Sequence, residues 1–338
     1  MTDTESRPRV LPRPLVRFLK APEWGLVAGI AFVLCVIYFL DHDHAFFREA
    51  NIRPLFHRVA LFGVLAVGAA VVIIAGGIDL STGSVVAISS VVSAKLLTEW
   101  LRPAGSQGPP SVPIVALAIG LTLLMGLLIG LAHALMINGL KIPPFIATLA
   151  TMAGLRSAAA ILSQNRTINV PFDAYRILGK EPKVTLWIFA GVAVSMSVLM
   201  GWTVLGRHLF ALGGNEMAAR LSGLRTNRLK AIAYGLSGTL SALGGILFTG
   251  NSGQADSRLG MTYELTAITA AVVGGCSLSG GLGSIRGTVL GLLLTQIVLK
   301  GTGIVKWGID STQIEGLVLG TVVLLAVAFN QRFRGPRG

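Results

Sequence analysis

The chain is built from long stretches with few or no charged side chains, at 24–40, 59–75, 83–98, 112–136, 145–163, 184–204, 231–250, 264–275, 286–299 and 314–330. A straight helical span needs about 20 such residues, with a usual range of about 17–25. The pattern therefore predicts an all-α polytopic membrane protein with about ten crossings. The short stretches 264–275 and 286–299 are the ones expected to be broken or re-entrant. Apolar residues run continuously within each stretch and do not alternate, which argues against a transmembrane β-barrel. With 53% hydrophobic residues, 13% charged and a mean hydropathy of +0.73, an ordinary soluble domain is excluded.

The formal net charge of +13 is concentrated where membrane topology wants it. Arg7, Arg9, Arg13, Arg17 and Lys20 crowd the N-terminal tail, and Arg332, Arg334 and Arg337 the C-terminal one. Between them, the island at 206–230 carries Arg207, Arg220, Arg225, Arg228 and Lys230 against one acid, Glu216. Basic loops favour the cytoplasmic side. Six crossings, then four more, place all three clusters inside, with both termini cytoplasmic. The expected division is a basic tail at 1–20, a transmembrane domain at 21–330 with a cytoplasmic loop at 206–230, and a basic tail at 331–338. Segment 41–58 falls outside, where Arg48, Arg53 and Arg58 balance Asp41, Asp43 and Glu49. The first run, Trp24–Leu40, reads as an anchor and not a cleaved signal. The basic clusters serve topology, so nucleic-acid binding is not expected. Cys35 and Cys276 have no metal or redox spacing.

Two glycine-rich interruptions share the frame Gly-Gly-x-x-Leu-Ser: Gly76, Gly77, Leu80, Ser81 and Gly274, Gly275, Leu278, Ser279. Paired breaks of this kind mark backbone that lines a cavity, since irregular backbone cannot face lipid. Close helix packing by small residues is the competing explanation. Asp79, inside the first break, reads either as a cap for the helix starting near Ser81 or as a pathway group. Arg156 lies inside 145–163, where a charge faces protein or water, or snorkels. Glu264 reads as a helix-start acid. Arg156 is expected to be neutralised by Asp79 or Glu264.

The island also encodes a helix of about two turns. Asn215 suits the N-cap, Glu216 the N-terminal dipole, Met217-Ala218-Ala219-Arg220-Leu221 the body, and Gly223 the stop. So short a helix is unstable alone, which suggests a socket for a soluble partner.

At these residues the chain resembles the permease subunit of ribose-type sugar ABC importers, within the branched-chain amino acid/sugar permease superfamily. The matching stretches are GGIDLSTGS (76–84), LKIPPFIATLATMAGLR (140–156), GRHLFALGGNEMAARLSG (206–223) and YELTAITAAVVGGCSLSGGLGSIRGTVLG (263–291). The resemblance implies a dimer of permease subunits in a prokaryotic inner membrane, a cytoplasmic ABC ATPase and an extracytoplasmic sugar-binding protein. It makes Asn215 to Arg220 and Gly223 the ATPase-coupling element, with Met217 where the family signature Glu-Ala-Ala-x-x-x-Gly has its acid. An apolar contact with the ATPase is therefore expected. The chain lacks a Gly-x-x-x-x-Gly-Lys-Ser/Thr loop, so no cofactor is expected in it and ATP would be bound by the partner. A path for a neutral polyol would use hydroxyls and backbone, with Ser81, Ser84, Thr148 and Ser279 as candidates, although each also reads as a cap or back-bond of its own helix. Amino-acid cargo is the first alternative. The second is an intramembrane serine protease built on Gly235-Leu236-Ser237-Gly238, against which none of the five histidines follows Ser237.

Overall fold

The computed structural model describes residues 23–102, 108–304 and 320–321. Its α-helices follow in chain order as α1 (Glu23–Leu40), α2 (Glu49–Ile74), α3 (Thr82–Lys95), α4 (Val112–Asn138), α5 (Pro144–Ser163) and α6 (Asp173–Lys180). The second half contains α7 (Pro182–Trp202), α8 (Val204–Gly214), α9 (Glu216–Leu221), α10 (Thr226–Ser252), α11 (Tyr263–Val273) and α12 (Ile285–Ile304). Seven of these, α1, α2, α4, α5, α7, α10 and α12, are long and apolar enough to cross a membrane. The protein is an all-α, multi-pass membrane protein.

Helix α3 continues without a break through a π-helical turn at Leu96–Trp100, so that this helix spans 82–100, roughly 28 Å. Helix α11 has 11 residues, about 16 Å, too short for a crossing, as expected for stretch 264–275. Each adjoins one of the glycine breaks. Stretch 286–299, expected to be interrupted, instead lies within the continuous 20-residue α12. Its glycines serve close packing: a Cβ at Gly291 would collide with the carbonyl of Ala270 on α11. Arg53 and Arg58, at the end of segment 41–58, sit on α2, which starts at Glu49. Glu49 complements the helix dipole and pairs with Arg53 one turn on at 2.5 Å. Stretch 314–330 and both basic tails lie outside the described residues, apart from 320–321.

Burial separates core from periphery. In α2 89% of the most apolar window is buried and in α10 72%, against 6% in α1 and 17% in α5 and α7. Lipid supplies no hydrophobic drive between helices, so close contact depends on small residues. On α4, Gly126 and Gly130 sit against Gly238 and the Tyr234 carbonyl of α10, where added Cβ atoms would strike backbone. At the far end from the 206–230 island, a two-stranded antiparallel ribbon joins β1 (Ile168–Asn169) to β2 (Gln254–Ala255), pairing Ile168 with Ala255. The two breaks connect α2 to α3 and α11 to α12, and α8 ends between them.

Candidate translocation and coupling site

The first break, between Ile74 and Thr82, is held by side chains. Asp79 is only 3% exposed, and its Oδ1 accepts from the Ser81 backbone N–H at 2.9 Å and the Ser81 hydroxyl at 2.6 Å. Its Oδ2 accepts from the hydroxyl of Ser237 on α10 at 2.7 Å. Three hydrogen bonds to a carboxylate make its burial tolerable. Ser81, 0% exposed, is the N-cap of α3, and its carbonyl accepts from the Ser84 hydroxyl at 2.7 Å. On the other side, the Ile78 carbonyl accepts from Thr148 of α5 at 3.2 Å and from the Tyr234 hydroxyl at 3.5 Å. Asp79 holds the start of α3 and ties the break to α10.

The second break, between Val273 and Ile285, is held at its turn by backbone, with side-chain bonds from Cys276 to Thr288 and from Ser284 to Glu23 flanking it. The Ser277 N–H donates to the Leu282 carbonyl at 3.0 Å, and the Gly281 N–H donates to the carbonyl of Ile74 at 2.9 Å. That last bond joins the two breaks directly. Their meeting point is glycine throughout. Gly76 and Gly280 have φ of +84° and +81°, a region where L side chains are strained. A Cβ on Gly280 would lie 2.7 Å from Gly76 Cα and 2.5 Å from the carbonyl oxygen of Gly213. Gly213 belongs to the C-terminal turn of α8, and a Cβ there would strike the Ile74 carbonyl. Gly274 packs instead on Gly287 and Thr288 of α12, while Gly275, at φ +94°, turns the chain out of α11.

Helix α9 follows α8 after one residue. It matches the expected two-turn element: the Asn215 side chain accepts from the Ala218 N–H at 2.9 Å, and Gly223 has φ +84° just past its end. Ala219 is buried, whereas Met217 and Leu221, one turn apart, are 65% and 81% exposed. Glu216 points back into the bundle, 2.7 Å from Lys230 Nζ of α10 and 3.4 Å from Arg220. Beside this pair lies a cavity of about 290 Å³ whose walls include Gly76, Gly77, Ser279, Gly213 and Tyr234 together with Glu216 and Lys230. Residues from both breaks and from α9 thus share one space.

Arg156 and Glu264 stand apart from this cluster. Arg156 lies 12 residues into α5, about 18 Å from its start. Glu264, not Asp79, is the carboxylate near enough to attract its charge, although the two are not in contact. The Arg156 guanidinium donates to the carbonyls of Ser257, Leu259 and Gly260 at 3.2, 2.8 and 3.3 Å. Segment 256–262 is non-helical backbone, and carbonyls there need donors that lipid cannot supply. Arg156 supplies them. Glu264 opens α11 as a first-turn acid, and one of its oxygens lies where a Cβ on Gly83 would fall.

A family model described as "Branched-chain amino acid transport system / permease component" matches residues 51–327. The chain belongs to this family. The ribose import permease RbsC of Bacillus subtilis is 35% identical over 317 residues, covering 91% of this chain and 92% of that protein. The RbsC of Haemophilus influenzae is 31% identical over 91% of this chain and 93% of its own length. The galactose/methyl galactoside import permease MglC of Escherichia coli is 32% identical over 91% and 94%. No solved structure matches the chain.

As a permease component, the chain is part of a transporter and not an enzyme. The Ser237 hydroxyl donates to Asp79, and neither ring nitrogen of buried His133 has a hydrogen-bond partner among the described residues. Among the residues lining the permease's shared space, Gly213 and Tyr234 escaped the sequence reading. The Gly213-Gly214 pair before Asn215 is visible in the sequence only as part of the matching stretch 206–223.

Proposed function

We propose that the chain is the membrane-spanning permease of an ATP-binding cassette importer, passing a monosaccharide or related polyol by alternating access. The observation that carries this reading is the junction of α8 and α9 with both breaks. A cytoplasmic ATPase docked on Met217 and Leu221 would push on α9. Helix α9 is tied to α10 through Glu216–Lys230, and α8 abuts Gly76 and Gly280 through Gly213. Displacement at α9 therefore reaches the backbone of the two breaks without a compliant side chain in between. The cavity beside them offers exposed backbone, the Ser279 hydroxyl and the Tyr234 ring, groups suited to a neutral polyol. Asp79, Ser81, Ser84 and Thr148 are saturated by internal hydrogen bonds and act by fixing the break. Arg156 and Glu264 shape the outer approach at 256–264, and Gly274 and Gly275 set the hinge of the second break.

Sugar is favoured over amino-acid cargo because the named relatives at 31–35% identity import ribose and, at 32%, galactosides. The reading also includes an extracytoplasmic sugar-binding protein, a second permease subunit forming a homodimer, and residence in the inner membrane of a prokaryote. The test is uptake of labelled pentoses, hexoses and polyols into vesicles holding the permease with its ATPase and binding protein. ATP-dependent uptake of one or more sugars is expected. Uptake of branched-chain amino acids alone would replace the cargo, and a permease that copurifies with no ATPase would end the proposal.

A further inference from the structure

A second and larger cavity, about 760 Å³, opens at the same end of the bundle, between the turn after α4 and the start of α10. Five cations line it: Lys141, Arg220, Arg225, Arg228 and Lys230, with no carboxylate in the wall. Glu216 compensates Lys230 and Arg220 from outside the wall. Lys141, Arg225 and Arg228 have no carboxylate within 4.0 Å among the described residues. Like charges around a shared concavity repel, and an anion relieves that repulsion.

Depth and shape narrow the choice of anion. Helices α4 and α10 each have 27 residues, about 40 Å, well beyond a hydrocarbon core of about 30 Å. The cavity sits where α4 ends and α10 begins, which is headgroup depth. Its wall is built: the Asn138 side chain donates to the Asn227 carbonyl at 3.0 Å, and Ile142 N–H donates to Met136 at 3.2 Å across a turn with Lys141 at φ +55°. Beside it Leu135 and Leu140 are 70% and 69% exposed, and Phe145 and Ile146 about half exposed. Cations at headgroup depth beside bare apolar side chains match a molecule with a phosphate at one end and hydrocarbon at the other. We propose that this cavity binds the headgroup of an anionic phospholipid, with its acyl chains along Leu135, Leu140 and Phe145. Because Arg220 belongs to α9, an occupied site would also bear on the coupling helix.

The test uses the purified permease alone, so it is independent of cargo and ATPase. Native mass spectrometry or spin-labelled lipid association would compare phosphatidylglycerol with phosphatidylcholine. The wild type is expected to prefer phosphatidylglycerol about tenfold or more. The triple variant Lys141→Gln/Arg225→Gln/Arg228→Gln should lose that preference, and the charge-keeping Arg225→Lys/Arg228→Lys should retain it. Arg166→Gln/Lys180→Gln/Lys183→Gln, at the opposite end, serves as control. Equal retention of the two lipids by the wild type, or equal loss in both triple variants, would overturn the proposal. Displacement of the lipid by inorganic phosphate would assign the site to a soluble phosphate compound. Displacement by the ATPase, with weaker ATPase binding in the first triple, would assign it to protein docking.

Discussion

The two breaks begin from one sequence frame and end as different structures. At the position after Gly-Gly-x the first has Asp79 and the second Ser277. The Asp79 carboxylate gathers Ser81 and Ser237, so Ser81 is buried and α3 starts at the next residue. At Ser277 the backbone is used, its N–H toward Leu282 and its carbonyl toward the Gly280 N–H, and the chain turns through Gly280, Gly281 and Gly283 before α12 begins at Ile285. Ser279, the counterpart of buried Ser81, is exposed in the cavity. The shared glycines stop a helix. The residue between them and the leucine decides whether the break becomes an anchor or a wall.

Removing Asp79 should therefore have the largest effect of any substitution in the two frames. Asp79→Ala leaves the Ser81 N–H and the Ser237 hydroxyl without their acceptor, each such bond to a charged group being worth about 1.5–3 kcal/mol. A stability loss on the order of 3 kcal/mol and complete loss of uptake are expected, read by thermal unfolding and vesicle assay. Ser277→Ala should shift stability by less than about 1 kcal/mol. Equal losses at the two positions would erase the distinction between anchor and wall.

The glycine junction comes next. Gly280→Ala costs about 1–2 kcal/mol for its left-handed backbone, and its methyl must displace Gly76 or Gly213. Sugar moved per ATP hydrolysed should fall about tenfold. Gly154→Ala, on α5 with open space around the new methyl, should leave that ratio unchanged. A Gly280→Ala permease with a normal ratio would mean that α8 does not transmit to the breaks.

Much of this was readable in the chain. The apolar runs located the spanning helices, and Asn215 with Gly223 delimited α9, because hydropathy and caps are local signals. Asp79 as a local cap was readable for the same reason, its two atoms of contact with Ser81 lying two residues away. What depends on distant chain was not. Arg156 finds its partners in the carbonyls about a hundred residues on, and a carbonyl carries no side-chain signature by which sequence could choose it over an acid. The same holds for Gly213, whose importance comes from what it touches.

A smaller effect distinguishes the outward face of α9 from the inward one. Met217→Asp puts a charge into the exposed pair Met217 and Leu221, and should weaken ATPase binding about tenfold, or about 1.4 kcal/mol. Met217→Leu should bind normally in the same pull-down or titration. Unchanged binding of the aspartate variant would place the socket elsewhere.

The smallest effect belongs to Glu216. Its side chain is 39% exposed and that of Lys230 is 19%, so solvent screening limits the pair to under about 1 kcal/mol of stability despite the 2.7 Å contact. Glu216→Gln should leave thermal unfolding nearly unchanged. Position matters more than strength here, because the pair lies in the same cavity wall as Gly76, Gly77 and Ser279 and is the side-chain tie from α9 to α10. If α9 moves the breaks partly through α10, which carries Ser237 and hence Asp79, loosening the tie should raise ATP hydrolysis without cargo about twofold, a shift of about 0.4 kcal/mol. The double exchange Glu216→Lys/Lys230→Glu should restore it. Restoration would show that α9 acts on the anchored break through α10. An unaltered idle rate in Glu216→Gln would leave Gly213 as the route, and the wall as the element that the ATPase moves first.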